Sequence, residues 1–415
     1  TASFSFATDM LDGDQPPIIK FAYDGDTRWM TLPENSFSPT GETVEAEGKT
    51  LKKYTQKVDF VRNTGDIRGG YVIVYAPSGR EIYRRRIEQK ANPSDLRPIN
   101  LANPTGEYLD PANCYIITTP GTYMIPTYKG NDKNTLISGT YYTNSDRKPY
   151  VWSDNASTIE FQENTSPNEL VFSVGNVQPG NTVIAITDGS KILWSWHIWL
   201  TDYPQGQLYY NNAGTMMDRN LGATSATPGD VCVLGLKYQW GRKDPFLGWK
   251  SAVATNSWPA AVESKPKTGT IAYATANPMT LIAQGSNYDW LYTGGATSIE
   301  GTRWKGSGSP KTIYDPCPYG WRVPDGGSKG VWATATGSFR SFSLDWKYDK
   351  DKFGVNLSKK LGAGKTIWYP VSGMYWAATI SDAMNADCLD LTPILASPSW
   401  QAYPAKTGYV RCVKE

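Results

Sequence analysis

"NTVIAITDGSKILWSWHIWLTD", residues 181–202, decides how the chain is read. Asp188–Gly189–Ser190 is a turn signal, so the stretch reads as two strands of a hairpin. Alternation in the second strand places Trp194, Trp196 and Ile198 on one face, with Leu193, Ser195, His197 and Trp199 on the other. Such a segment belongs to an all-β layer. Working outward, "ANCYIITTPGTYMIPTYKG" (112–130), "STIEFQEN" (157–164) and "NELVFSVG" (168–175) supply further strands of that block. Upstream, "YTQKVDFVRN" (54–63), "GYVIVYA" (70–76) and "EIYRRRIEQ" (81–89) form an earlier β-rich block. "KANPSDLRPINLANPTGEY" (90–108) breaks the pattern and reads as a linker or long crossover. Beyond residue 204 the strand-length runs shorten and loops lengthen. Fourteen of the sixteen tryptophans lie after residue 190, so the aromatic mass sits late in the chain.

A chain of 415 residues exceeds one ordinary core, and the texture divides it at 1–98, 99–204 and 205–415. Aromatics at 13% argue against disorder, and 39 glycines with 28 prolines favour short strands and turns. A net charge of +2, spread without long blocks, gives no footprint for nucleic acid. The one basic cluster, Arg84–Arg85–Arg86, falls in an alternating run and splits between the faces of a solvated edge strand. No run approaches the roughly 20 apolar residues of a membrane-spanning helix. "TASFSF" reads as a trimmed or processed start. Five cysteines (Cys114, Cys232, Cys317, Cys388 and Cys412) include no CxxC pair, and with a single histidine no zinc site is expected.

"MMDRNLGA" (216–223), "LKYQWGRKDPF" (236–246), "YDPCPYGWRVP" (314–324), "MYWAAT" (374–379) and "GYVRCVKE" (408–415) occur in order. Together they resemble the Fibrobacter succinogenes major paralogous domain, a family of surface proteins of Bacteroidetes. The segments "ANCYIITTPGTYMIPTYKGN" and "DGSKILWSWHIWLTDYP" look like the β-domain that precedes it in fimbrillin-like proteins. The resemblance covers roughly residues 106–415. It implies secretion, a cell-surface, outer-membrane-anchored or pilus location, and a loop-rich α+β C-type lectin-like domain behind two tandem β-sandwiches. One departure stands out: "DGGSKGVWATATG" (325–337) follows the clip, and its glycines predict a helix that is short or absent.

Each residue of the clip 314–324 has a mechanical reading. Pro316 and Pro318 fix φ and hold Asp315 and Cys317 extended, Gly320 permits a turn, and Trp321 anchors the clip with Arg322 beside it. Cys317 is expected to bond Cys412, closing a loop of about 95 residues and stabilising the fold by roughly 4–5 kcal/mol. Cys114, Cys232 and Cys388 read as buried thiols, with a Cys232–Cys388 bridge as the alternative. Asp218, Arg219, Arg242 and Asp244 read as ion pairs and turn caps that hold loops, in preference to a catalytic cluster.

No HExxH or phosphate loop is present, and His197 reads as a packed side chain. A glycoside hydrolase needs only two carboxylates, and no pair stands out. An exposed Cys388 is the residue to suspect for oxidase chemistry. The tripeptides that hold calcium and sugar in lectins are missing from 205–415, and "DGD" at 12–14 and 24–26 reads as turns. No metal or other cofactor is expected. Trp249, Trp258, Trp290, Trp304, Trp368 and Trp400, most of them flanked by small or polar residues, are the candidate ligand-binding side chains, each weighed against a role as a plug on the core. The expectation is a non-enzymatic adhesin that binds glycan or a host-surface protein, with partner subunits added by strand exchange. The alternatives are a glycan-capture protein for nutrient uptake and, remotely, a hydrolase.

Overall fold

The computed structural model describes the chain except residues 1, 12–14, 26–27, 35, 62, 64–66, 91–97, 104–108, 155–158, 163–166, 248–258, 295–298, 306–310, 345–347, 363–365 and 371–372. The "DGD" at 12–14, much of the linker stretch, and both Trp249 and Trp258 lie outside the described residues. Among the described residues strands make up 44% and helices 6%, so the fold is mainly β. Two compact units divide it, Thr1–Arg97 and Pro98–Glu415.

In the first unit one sheet holds Ala2–Thr8, Lys49–Phe60, Phe37–Ala46 and Met30–Thr31, and the other Ile18–Tyr23, Arg68–Tyr75 and Glu81–Gln89. The period-two run "YVIVY" buries Val72 and Val74 against Phe6, Tyr54 and Val58. Glu81–Gln89 is an edge of its sheet. Arg84 and Arg86 share one face and lie 5.5 Å over the Tyr71 ring, while Arg85 points to the other. Arg86 pairs with Asp24 at 2.9 Å. The arginines therefore cover a charged edge.

Two sheets also share a core in residues 98–204. One contains Ile159–Phe161, Glu169–Val174, Gly121–Pro126 and Ile99–Asn100; the other contains Thr140–Tyr141, Gly180–Thr187, Ile192–Leu200 and Cys114–Ile117. The hairpin turn forms as its residues predict. Asp188 Oδ1 accepts the backbone N–H groups of Ser190 (2.9 Å) and Lys191 (3.0 Å), and Gly189 takes φ +93°. Trp194, Trp196, Ile198 and Leu200 fill the core between these sheets.

The other face of the strand Ile192–Leu200 packs against residues beyond 204. Ser195 Oγ donates to Asp244 Oδ1 at 2.5 Å, and Lys243 Nζ donates to Ser195 Oγ (2.5 Å) and Asp244 Oδ1 (2.6 Å), all buried. Trp199 Nε1 donates to the Ala223 carbonyl, and Asn113 Nδ2 to those of Ile313 and Asp315. This seam makes 98–415 one compact unit where the sequence texture suggests a division at 204.

Residues 205–415 hold a six-stranded sheet in the order Lys237–Gln239, Thr407–Tyr409, Gly373–Ile380, Ala386–Leu391, Leu395–Ala402, Phe342–Ser343. A four-stranded sheet joins Gly206–Tyr209, Gly214–Met217, Val413–Lys414 and Trp321–Arg322. The helix after the clip does form, but over only six residues, Val331–Thr336. Gly337 at φ +70° ends it, and buried Trp332 donates from Nε1 to the Tyr369 hydroxyl at 3.0 Å. Cys317 and Cys412 are bonded, with Cα atoms 6.1 Å apart. Asp315 accepts the N–H groups of Cys317 (2.8 Å) and Val323 (2.9 Å), closing the clip on itself. Cys388 remains a thiol, so the alternative Cys232–Cys388 bridge does not exist.

Candidate functional site

The loop tryptophans separate sharply. Trp290, Trp304 and Trp368 are 1%, 0% and 6% exposed, so all three plug loops onto the core and none offers a surface to a ligand. Trp290 Nε1 donates to the Trp240 carbonyl (2.7 Å) and Trp304 Nε1 to the Arg242 carbonyl (3.1 Å). Trp368 packs so tightly on Gly354 that a Cβ there would lie 2.3 Å from its ring. Polar flanks misled here because Asp289 and Arg303, beside Trp290 and Trp304, are themselves buried as an ion pair. Trp400, 52% exposed, is the exposed tryptophan among the described residues.

Trp400 sits on the strand Leu395–Ala402, directly opposite Cys388 on Ala386–Leu391. The register shifts between Cys388 and Asp390, a bulge that leaves Asp390 half-buried on the same face. Burial raises the Asp390 carboxyl, and the Lys406 charge pulls it back. Lys406 Nζ lies 5.4 Å over the Tyr403 ring, and Tyr403 stacks on Tyr288 at 4.4 Å with 17° between planes. Tyr288 is held at φ +60°, a region a bulky side chain enters only when its surroundings impose it. Its N–H donates to the Gly285 carbonyl (3.1 Å), and its carbonyl accepts from Ala405 (3.4 Å).

That loop is pinned from below. Arg303 forms a bidentate pair with Asp289 at 2.9 and 2.6 Å, and its guanidinium lies 4.6 Å over Trp240 and 5.1 Å over Trp290. Trp290 thus supports the face without belonging to it. Tyr288, Tyr403 and Lys406 thus form one stacked cluster, the Lys406 charge acts on Asp390 and Cys388, and Trp400 is the exposed indole on the strand paired with theirs. It can stack on a sugar ring or receive a protein side chain. Tyr288, Tyr403, Lys406 and Asp390 were not singled out by sequence.

The polar clusters hold loops. Arg219 makes bidentate contacts with Asp202 (2.6 and 2.8 Å) and meets Asp218 at 2.9 Å. Arg242 caps a helix, Ile271–Ala276, by donating to the Ala274 and Asn277 carbonyls, and it lies over the Phe246 and Trp290 rings. Asp244 therefore pairs with Lys243, not with Arg242. Arg322 donates to Asp325 at 2.9 Å, and Trp321 is buried against the disulfide.

The groups weighed for chemistry are buried. Burial lowers His197 to about 3, so it is neutral, and its Nε2–H donates to Asn181 Oδ1 at 2.9 Å. Cys388 is 1% exposed and burial pushes its thiol up, which removes the exposed cysteine an oxidase reading needs. Among the described residues no group of three His, Cys, Asp or Glu gathers to hold a metal ion, and no helix is long and apolar enough to cross a membrane.

No protein-family model matches the chain, and no curated protein matches it. Among solved structures, it is similar to the endo-fucoidan hydrolase MfFcnA9 from glycoside hydrolase family 107 at 10% identity and a TM-score of 0.14, over 48% of this chain and 30% of that one. It is also similar to the Yersinia pseudotuberculosis adhesin InvE at 10% identity and a TM-score of 0.12, over 63% and 73% respectively. The chain spans less than a third of the hydrolase. Superpositions this weak decide neither fold nor function.

Proposed function

We propose that this chain is a binding protein of the bacterial cell surface or a pilus, an adhesin that performs no chemistry. In this reading residues 1–98 and 99–204 are β-sandwiches of fimbrillin type. Residues 205–415 are a C-type lectin-like domain akin to the Fibrobacter succinogenes major paralogous domain. The observation that carries the proposal is Trp400, an exposed indole on the strand Leu395–Ala402; the Tyr288–Tyr403 stack, with Asp289 next to it pinned by Arg303, supplies further aromatic rings in the same unit. Its ligand is a glycan or a host-surface protein, and partner subunits join by strand addition. Capture of free polysaccharide for uptake is the second reading, since a flat aromatic face serves both roles.

The test is binding of the full chain to an array of glycans, mucins and matrix proteins, with and without EDTA. The expected result is saturable binding that survives EDTA and falls at least tenfold in Trp400→Ala, the loss of about 1.4 kcal/mol or more typical of an aromatic anchor. Binding abolished by EDTA, or unchanged in the variant, would overturn the reading. Preference for free polysaccharide over mucins and matrix proteins would favour capture over adhesion.

A further inference from the structure

A second surface lies within the 98–415 unit, and its lining shares no residue with the aromatic side chains Trp400, Tyr403 and Tyr288. A cleft of about 520 Å³ opens where Pro111 and Lys133 on one side meet Lys311, Tyr319, Arg322 and Glu415 on the other. The clip makes one wall rigid. Lys311 Nζ donates to the carbonyls of Cys317 (2.9 Å), Pro318 (3.1 Å) and Trp321 (2.7 Å). Asn131 Nδ2 reaches across to the Lys311 carbonyl at 3.2 Å and ties the walls together. The cleft is therefore preformed.

Its chemistry is mixed in a specific way. Two cations that reach solvent, Lys133 and Arg322, line it with one carboxylate, Glu415, while Lys311 is buried on the clip carbonyls. Lys133 is exposed and only loosely engaged, 3.4 Å from Asp110. Arg322 is partly exposed, with Asp325 at 2.9 Å behind it. Tyr319, 54% exposed, stands at the corner of a turn closed by Trp321 N–H donating to the Pro318 carbonyl, with Gly320 at φ +74°. Tyr319 is the more exposed apolar lining, with the buried Pro111 at the cleft's other side.

The geometry points to a binding site for an acidic saccharide, its carboxylate or sulfate on Lys133 and Arg322, its ring on Tyr319, and its hydroxyls on Glu415. A cation pair selects an anionic group. A tyrosine face suits the C–H side of a sugar ring. A carboxylate in the same cleft accepts hydroxyl donors and repels a bare anion. A simple phosphate satisfies only the first of these. The inference rests on the reading of the chain as a saccharide binder, but on a different surface from Trp400.

Titration calorimetry of the full chain tests it with a uronate-containing oligosaccharide, a sulfated one, their neutral parent, and inorganic sulfate. The expected result is at least tenfold tighter binding of one charged saccharide than of the neutral parent, weakening as salt rises. Tyr319→Ala and Lys133→Ala should each cost about tenfold in affinity without moving the thermal midpoint, and Trp400→Ala should cost nothing at this site. The more affected charged ligand tells carboxylate from sulfate. Equal binding of charged and neutral saccharides, insensitivity to both cleft variants, or inorganic sulfate binding as tightly as the saccharide would overturn the inference. Loss of neutral-glycan binding in Trp400→Ala would still support the aromatic face, so the two failures are distinguishable.

Discussion

Asp387 shows how much depends on where one side chain points. It is buried on the strand Ala386–Leu391, under a loop so close that a Cβ on Gly326 would lie 2.4 Å from its own. Burial, with the neighbouring Asp382 charge adding to it, raises its carboxyl to about 6 from an ordinary 3.8. Between about pH 4 and 6 the unfolded chain loses this proton while the native chain keeps it, so this group's contribution to stability falls as pH rises. Asp387→Asn should remove that slope. The variant is expected to match the parent near pH 3.5 and to exceed it at pH 7 by on the order of 1–2 kcal/mol, measured by urea unfolding. A loss of stability at pH 7 would show that the carboxylate makes contacts an amide cannot replace. At this scale the sequence was least legible. Trp290, Trp304 and Trp400 have similar flanking residues, and only the packing around each decides which one faces water.

Among the elements, the clip was the most legible. Its prolines and Gly320 each impose a local geometry that survives in any context, so the turn follows from residue chemistry; the bond from Cys317 to Cys412, an expectation at the level of sequence, is present. The disulfide spans 95 residues, and removing it should destabilise the chain by roughly 4 kcal/mol. Cys317→Ser with Cys412→Ser, or reduction of the parent, should lower the urea midpoint to the same value. Reductant that leaves the midpoint unmoved would contradict a structural bond. The helix Val331–Thr336 was legible only in its shortness. What fixes it is the contact of Trp332 with Tyr369, 37 residues away, and no local pattern reports that. The Tyr288 loop is similar: its unusual φ is held beside the Arg303–Asp289 pair and by the Ala405 N–H, and neither Arg303 nor Ala405 is local in sequence.

For the whole molecule, the β-rich class was readable from composition and alternation, whereas the unity of 98–415 was not. The strand Ile192–Leu200 carries Ser195, His197 and Trp199 on its second face, a mixture that alternation alone leaves unassigned. The structure buries that face on Lys243, Asp244 and Ala223. Truncating Lys243 to alanine leaves the Asp244 carboxylate buried without its counter-charge, a loss of about 3–5 kcal/mol. Calorimetry should then show the transition of 98–415 moving down as one. A variant whose 205–415 portion melts apart from 98–204 would contradict the single unit.

The central claim is that this unit presents Trp400 to a ligand. The most direct measurement is the Kd of the strongest array ligand for the full chain and for Trp400→Ala, both in EDTA and with matched thermal midpoints. A tenfold or greater weakening in the variant is predicted. Equal affinities would mean that Trp400 is an exposed side chain without a partner, and that the binding surface lies elsewhere on the molecule.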